Sequence, residues 1–404
     1  MNFGTRQSIP VVQNSFALLQ FNRIWVIYIF LGYTMAIIQY PNYKESLISL
    51  ASSILSYYGI DNPDHPSLSQ VDSLLKEKKP RNIVLMLFDG FGYNIMKRNL
   101  PADSFLARHI VMSFSSTFPP TTVAATTALR SGKTPIETGW LGWFSYYKEI
   151  NEVVTTFTSH RFYDDSYVGQ DLAAKYIPYT PIGVRIGNAN PDVLYSELAP
   201  FSKFRIDSLS KMESSLITLL SNGKRNYVYC YWPDPDRTMH DCGVNHPKSI
   251  ETERYIDSFV ESLTGKFSDT IFLIVADHGL IDARYVYLSD YPRLLSMLKR
   301  PFSIEPRSAT FFVKDGMVES FKKEFEESLG DHFILMDRNK LFESGLLGLG
   351  TPHPMVDEFV GDFIAIAKDD SCLSMERHDN ELIGVHAGLT QDEMLVPLVV
   401  VDRT

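Results

Sequence analysis

The sequence predicts an α/β fold built on a doubly wound, mostly parallel sheet that is flanked by helices. Short continuous apolar runs recur along the chain, as is typical of strands buried on both faces of a parallel sheet. Helical stretches separate several of these runs, and alternating strands and helices indicate this fold class. The predicted strands are residues 82–88, 227–232, 270–276 and 394–401, and the helices include residues 208–220 and 251–267.

The first elements follow in a simple order. Residues 43–58 have helical spacing, with Leu47, Leu50 and Ile54 on one side. A turn-rich linker, residues 61–69, then leads to the first strand. In sheets of this kind, ligands bind beyond the carboxyl ends of the strands. Polar residues that directly follow the strands are therefore the first candidates for a site.

Two stretches have the character of insertions. Residues 144–205 are rich in Tyr, Asn and Pro and contain no long apolar run. Residues 287–370 carry a helix of their own (317–329) and two strands (308–313 and 361–367), so we expect them to form a small α/β lid. The predicted division is an N-terminal extension over residues 1–40, a core over residues 41–286 and 371–404, and a lid over residues 287–370.

Composition and charge disfavour some functions. The chain has 404 residues, 45% of them hydrophobic, and a formal net charge of −10. A general nucleic-acid binder needs a basic face, whereas a small nucleotide remains compatible because bound metal ions reverse the local charge. The three cysteines form no CxxC pair and are too few for a disulfide framework, which predicts a reducing, cytoplasmic compartment. The oligomeric state stays open.

The N-terminus contains an apolar run, residues 24–38. A membrane span needs roughly 20 residues, and no small-residue cleavage site follows, so a secretory signal is a poor interpretation. An uncleaved membrane anchor is one alternative. The slightly favoured alternative is that the residues before Met35 are not native, because the sequence from Met35 onward is typical of a cytosolic start.

Seven residues stand out as candidates for a chemical site. Each has a structural explanation when it is taken alone, since an aspartate after a strand often only begins a turn. The whole set is harder to explain in that way. The seven are Asp89, Thr122, Asp236, His240, Asp277, His278 and His386.

The spacing of these residues favours metal binding. Asp236 and His240 are four residues apart, so on a helical turn they share one face and can bind one ion. Asp277 and His278 end a buried strand, where neighbouring side chains can converge. Carboxylate oxygen and imidazole nitrogen suit Zn²⁺, and Mn²⁺ less exclusively. Three Asp and three His make a site with two divalent ions plausible, and such a pair can clamp both oxygens of an in-line displacement.

Thr121 and Thr122 follow Pro119-Pro120 and precede a run of small and apolar residues. This pattern predicts a helix N-terminus, where backbone N–H groups and the helix dipole favour anions. Either threonine could be a nucleophile held beside a metal, or simply the N-cap of the helix. The local sequence does not choose between these two interpretations.

The order of the motifs resembles the type I phosphodiesterase/nucleotide pyrophosphatase branch of the alkaline phosphatase superfamily. The resemblance extends from about Lys44 to Val401, and five motifs in the same order make it specific. They are LFDGFG (87–92), FPPTTVAATTALRSG (118–132), WPDPDRTMH (232–240), VADHGL (275–280) and GVHAGLTQDEMLVPL (384–398).

The resemblance implies an alkaline phosphatase-like fold and a role for each residue. The nucleophile of the superfamily precedes the glycine of a (T/S)-G step by ten residues, and counting back from Gly132 selects Thr122, with Thr121 and Thr117 as the next choices. One metal would be held by Asp236, His240 and His386, and the other by Asp89, Asp277, His278 and the Thr122 oxygen. Thr122 would attack phosphorus and form a covalent phospho-threonine, which water then hydrolyses.

Some positions depart from the family pattern. Trp143 stands where related enzymes have an asparagine that contacts phosphate, so it is a candidate for substrate binding or for packing of the lid. The arginine that phosphomonoesterases of the superfamily use has no clear counterpart. Arg130, Arg237 and Arg307 are candidates, of which Arg237 is nearest in sequence to the predicted ligands. His246 and His353 are more readily explained as structural.

The predicted function is a metal-dependent hydrolase of phosphodiester or pyrophosphate bonds, and its expected substrate is a small phosphate ester such as a nucleotide. The main alternative is a phosphomonoesterase or phosphoryl transferase that uses the same two-metal site. A membrane-anchored head-group transferase would require residues 24–38 to be an anchor. A non-catalytic binding protein would have no need of the nucleophile and all six metal ligands together.

Overall fold

The computed structural model describes residues 37–404. The N-terminal extension and all but the last two residues of the apolar run 24–38 lie outside this range, so their interpretation stays a prediction. Within residues 37–404 no helix combines the length and the apolarity needed to cross a membrane.

The strands are numbered in chain order. They are β1 (Asn82–Phe88), β2 (Ile110–Ser115), β3 (Phe144–Tyr147), β4 (Glu152–Thr155), β5 (Val193–Ala199), β6 (Phe204–Arg205), β7 (Arg225–Trp232), β8 (Thr270–Val275), β9 (Ile281–Asp282), β10 (Arg284–Tyr287), β11 (Ser303–Glu305), β12 (Ser308–Phe311), β13 (Phe333–Asp337), β14 (Phe363–Ala367), β15 (Ser371–Ser374), β16 (Gly384–Val385) and β17 (Leu395–Asp402).

The α-helices are numbered in the same way, and a single 3₁₀ turn covers Leu288–Asp290. They are α1 (Leu47–Tyr57), α2 (Ser69–Lys78), α3 (Tyr93–Asn99), α4 (Phe105–His109), α5 (Thr122–Ser131), α6 (Pro135–Thr138), α7 (Leu172–Tyr176), α8 (Ile182–Ala189), α9 (Leu209–Leu220), α10 (Asp236–Cys242), α11 (Pro247–Thr264), α12 (Pro292–Met297), α13 (Val318–Leu329), α14 (Arg338–Ser344), α15 (Pro354–Phe359) and α16 (Gln391–Met394).

The main sheet has the strand order β2-β17-β8-β1-β7-β5-β6. All its strands run parallel except β17, which is antiparallel to both β8 and β2. Every residue of β1 and β8 is buried, which explains why both strands consist of continuous apolar runs. Helices α1, α5 and α8 contact one another, and α3, α4 and α11 form a second group. The predicted sheet flanked by helices is therefore confirmed.

A second sheet is antiparallel throughout and has the order β13-β14-β12-β11-β3-β4. Helix α13 packs on it through Phe321 and Phe325, which meet Phe311 of β12 and Phe333 of β13. Most strands of this sheet come from residues 287–370. The sheet also takes β3 and β4 from the earlier stretch, so one layer combines segments that are far apart in the chain.

The interpretation of residues 144–205 as one insertion was wrong for its second half. Strands β5 and β6 belong to the main sheet, where β5 pairs with β7. Leu194, Tyr195 and Glu197 are only partly covered in β5, which lies towards the edge of the sheet, so this strand lacks a continuous apolar run. A partly exposed strand of this composition cannot be distinguished from a loop by apolar content alone.

Candidate metal centre

The predicted site residues converge where the parallel strands end. Asp89 directly follows β1, and Asp277 and His278 lie two and three residues after the end of β8. Asp236 begins α10 beyond β7, and Thr122 begins α5 beyond β2. His386 follows β16, a short strand that pairs with β9 just beyond β8. Strands β1, β2, β7 and β8 present their carboxyl ends at one edge, so the main sheet brings all of these side chains except that of His386 together. The separate pair of β9 and β16 supplies His386.

Two groups of ligand atoms result. The first, which we call the Asp236 cluster, consists of Asp236, His240 and His386, and the second, the Asp277 cluster, of Asp89, Asp277 and His278. Within each group, one ligand atom from each residue lies within 4.8 Å of the others. The clusters adjoin each other, because the rings of His278 and His386 stack with their centroids 3.9 Å apart.

In the Asp236 cluster, the helix α10 sets the geometry. Asp236 and His240 lie one turn apart, and His240 Nε2 is 3.1 Å from Asp236 Oδ2. The other ring nitrogen of His240, Nδ1, donates to the carbonyl of Gly384 at 2.7 Å. This hydrogen bond fixes the ring and leaves Nε2 as the atom that faces the cluster.

In the Asp277 cluster, backbone N–H groups hold the carboxylate of Asp277 and a tyrosine hydroxyl holds that of Asp89. Asp277 Oδ1 accepts hydrogen bonds from the N–H groups of Gly90 and His278, both at 3.0 Å. Asp89 accepts a hydrogen bond from the hydroxyl of Tyr231. Gly90 has a positive φ of 71°, and a Cβ there would lie 2.6 Å from Leu280, so this turn requires glycine.

Thr122 lies against the Asp277 cluster. Its Oγ1 is 3.2 Å from His278 Nε2 and 3.4 Å from both carboxylate oxygens of Asp89. Thr121 occupies the N-cap position of α5, yet its hydroxyl donates to Glu305 at 2.6 Å and caps nothing. Of the two threonines, Thr122 is therefore the one beside the candidate ligands.

The side chains of the two clusters differ in how they shift one another's pKa. Burial would raise the pKa of Asp236, but His240 lowers that pKa below its usual range, and Asp236 in turn raises the pKa of His240 to about 9. These two groups form an ion pair. In the Asp277 cluster, burial and the neighbouring carboxylates raise the pKa of Asp89 well above its usual range, and burial also raises the pKa of Asp277. A cation would relieve this repulsion.

Three buried atoms in the clusters lack hydrogen-bond partners within residues 37–404, and their chemistry fits divalent cations. They are Asp236 Oδ1, Asp277 Oδ2 and His386 Nδ1. Buried polar atoms without partners are uncommon in native proteins. Carboxylate oxygens and imidazole nitrogens are also the donors that Zn²⁺ binds. The residues present therefore fit a metal centre.

The predicted substrate contacts lie near the site or already have partners. Trp143 is 42% exposed, and its ring packs edge-on against Phe157. Its backbone N–H donates to Glu305, which also accepts from Thr121. Arg237 is exposed and pairs with Asp234 at 2.7 Å. His246 and His353 cap the N-termini of α11 and α15, as their structural interpretation requires.

The remaining two arginine candidates are engaged by carboxylates away from Thr122. Arg130 pairs with Glu197 at 2.8 Å, and Arg307 pairs with Glu393 in a fully buried ion pair. Sequence reasoning overlooked Tyr231 and Glu305, which contact Asp89 and Thr121 respectively. Tyr231 lies inside a predicted strand and Glu305 on a different sheet, so spacing gave no signal for either.

Comparison with known proteins agrees with this arrangement. Residues 83–389 match the family model of type I phosphodiesterase/nucleotide pyrophosphatase. No curated protein sequence matches the chain significantly.

Two similar solved structures have the same overall fold. Mouse ectonucleotide pyrophosphatase/phosphodiesterase 5, an inactive variant in complex with AMP, has a TM-score of 0.60 at 16% identity, over 78% of this chain and 87% of that one. The human protein of the same name has a TM-score of 0.61 at 16% identity, over 79% and 87% of the two chains. The fold is thus alkaline phosphatase-like, and the chain belongs to the type I phosphodiesterase/nucleotide pyrophosphatase family.

Proposed function

We propose that this protein is a metal-dependent hydrolase of phosphodiester or pyrophosphate bonds, with Thr122 as its nucleophile and a nucleotide as its substrate. The observation that carries the proposal is the position of the Thr122 hydroxyl, 3.2 Å from His278 and beside both carboxylate oxygens of Asp89. The family membership supports the reaction class. The AMP complex of the mouse relative supports a nucleotide ligand.

Two divalent ions, Zn²⁺ or alternatively Mn²⁺, would complete the site. Asp236, His240 and His386 would hold one ion, and Asp89, Asp277, His278 and Thr122 the other. When bound, such ions supply positive charge that stabilises the attacking and leaving oxygens of a displacement at phosphorus.

The protein groups have distinct tasks in the proposed reaction. Asp89 accepts the hydrogen bond of the Thr122 hydroxyl in the resting state and so directs its oxygen into the site. The N–H groups of Thr122, Val123 and Ala124 precede the first backbone bond of α5, from Ala125 N to Thr121 O. They are free to donate to phosphate oxygens at a helix N-terminus. Attack by Thr122 gives a covalent phospho-threonine and releases the alcohol or phosphate leaving group, and water then regenerates Thr122.

A diester or pyrophosphate fits this site better than a monoester. A monoester carries nearly a second negative charge at neutral pH, which an arginine would normally compensate. All three arginine candidates are instead paired with carboxylates, namely Glu197, Asp234 and Glu393. The exposed rings of Trp143 and Phe157 provide an aromatic surface for the organic group of the substrate.

The test combines metal analysis with substrate comparison on the full chain. We expect about two ions per chain by elemental analysis, and a higher kcat/KM on bis-(p-nitrophenyl) phosphate than on p-nitrophenyl phosphate with Zn²⁺ or Mn²⁺. Faster monoester turnover would instead favour a phosphomonoesterase or phosphoryl transferase. A protein that binds no metal and turns over neither substrate would contradict the proposal. Cellular location is a separate proposal, in which a cytoplasmic protein is expected.

A further inference from the structure

Glu305 is an acidic side chain at the site that the reaction described above does not use. It is the last residue of β11 in the second sheet, and it is only 5% exposed. Its Oε1 accepts two hydrogen bonds, from Thr121 Oγ1 at 2.6 Å and from the backbone N–H of Trp143 at 2.8 Å. The carboxyl group thus links Thr121, the residue before the proposed nucleophile, to the backbone of Trp143.

The surroundings of Glu305 leave its charge uncompensated. No lysine or arginine of residues 37–404 forms an ion pair with it, and the groups that act on it electrostatically are His240 and Asp236. Burial raises the pKa of Glu305 to about 7. The ionised form therefore predominates at a pH well above that value, and a cation in the adjoining Asp236 cluster would favour it further.

We propose that Glu305 is a specificity-determining residue that disfavours phosphomonoesters relative to phosphodiesters by repelling their additional negative charge. This inference rests on the proposed function, because it assumes that phosphorus binds at Thr122. Glu305 is hydrogen-bonded to the residue adjacent to Thr122, which places its carboxylate roughly 8–10 Å from that phosphorus. At this separation, one added unit charge lowers binding on the order of tenfold when the effective dielectric constant is about 20.

The test is the ratio of monoester to diester kcat/KM in Glu305→Gln. Glutamine has the same shape, and its carbonyl oxygen can accept both hydrogen bonds, so only the charge is removed. We expect the ratio to rise about tenfold, mainly through faster use of p-nitrophenyl phosphate. Should this variant fail to fold, Glu305→Met removes the charge in a similar volume and gives the same comparison.

Two controls separate charge from structure. Both controls are compared at about pH 9, well above the pKa of about 7 to which burial raises Glu305. At that pH, Thr121→Val removes the hydrogen bond but leaves Glu305 ionised, so the ratio should stay at the wild-type value. At the same pH, Glu253→Gln neutralises another buried glutamate, in α11, whose pKa burial raises to about 8; it is hydrogen-bonded to Asn99 and lies outside both ligand clusters. It too should leave the ratio unchanged.

Three outcomes would overturn the inference. The first is an unchanged ratio of monoester to diester kcat/KM in Glu305→Gln. The second is an equal fall of both activities in Glu305→Gln, which would mark a purely positioning role. The third is a rise of the ratio in Thr121→Val as large as that in Glu305→Gln. Failure of the proposed function would instead appear in the metal content and the substrate preference of the wild-type protein. The effect of Glu305 is measured as the change of the ratio from wild type to variant, so the two failures are distinguishable.

Discussion

Arg307→Met should cost a large part of the stability of this protein. The guanidinium group donates to Glu393 at 2.7 and 2.8 Å and to the carbonyl groups of Ser371 and Asp369 at 2.6 and 2.8 Å. Both partners of the ion pair are fully buried. Methionine fills much of the volume but leaves Glu393 as a buried charge without a cation. Breaking such a pair costs about 3–5 kcal/mol of unfolding free energy.

Urea unfolding followed by circular dichroism measures this loss, and Arg377→Met is the matched control. Arg377 makes a similar two-pronged contact with Asp290, with both distances at 2.8 Å. That pair is exposed, at 62% and 47% for the two side chains, so its loss should cost far less stability than the loss of the buried pair.

The same substitution should also weaken metal binding. Glu393 accepts the N–H of Gly388 at 2.7 Å, and Ser308 donates to the carbonyl group of Ala387. Both contacts hold the segment that carries His386. The reasoning would be refuted if Arg307→Met lost no more stability than the exposed control, or if both ions bound as tightly as in the wild type.

Three further predictions concern the nucleophile, one ligand and a buried acid. Thr122→Ala should keep both ions but lose turnover, as measured by elemental analysis and diester hydrolysis; wild-type activity in this variant together with a dead Thr121→Ala would shift the nucleophile by one residue. Asp277→Ala should lose one ion and most activity, because its unpartnered Oδ2 is a candidate ligand atom, and two retained ions would refute that assignment. Burial raises the pKa of Glu253 to about 8. The protonated carboxyl therefore stabilises the fold at low pH. This stabilisation is lost as the pH rises from the ordinary glutamate range through about 8. Glu253→Gln should therefore gain stability over the wild type between pH 5.5 and pH 8.5, by on the order of 2 kcal/mol in urea unfolding, whereas a pH-independent difference would exclude Glu253 as the source.

The sequence predicted the centre of the fold well because burial there is complete. Strand β1 has the predicted bounds, since all its residues are buried and an apolar run marks both of its ends. The run near Leu395 was also found, but its direction could not be read. Parallel and antiparallel strands that are buried on both faces look alike in sequence, and only pairing shows that β17 is antiparallel.

The candidate site was predictable where its residues follow strands or share a helical turn. Asp89, Asp277 and the pair Asp236 and His240 belong to this group, and the structure brings them together with His386. His386 had no such local signal, because β16 before it has only two residues, and its place beside Asp236 and His240 was implied by the family resemblance. Glu305 was missed because it contacts Thr121 from another sheet, and no local sequence pattern indicates a contact between residues so far apart in the chain.

The position of β17 has a consequence for the order in which the active centre can be assembled. Within residues 37–404, strand β2, which leads into the helix of Thr122, joins the main sheet only through β17. Ser115 pairs with Leu395, and most of the chain lies between them. During synthesis, the strand before Thr122 must therefore wait for a partner that leaves the ribosome much later. Until then the metal-ligand residues and the nucleophile are not held in one sheet, and closure of this long loop completes them together.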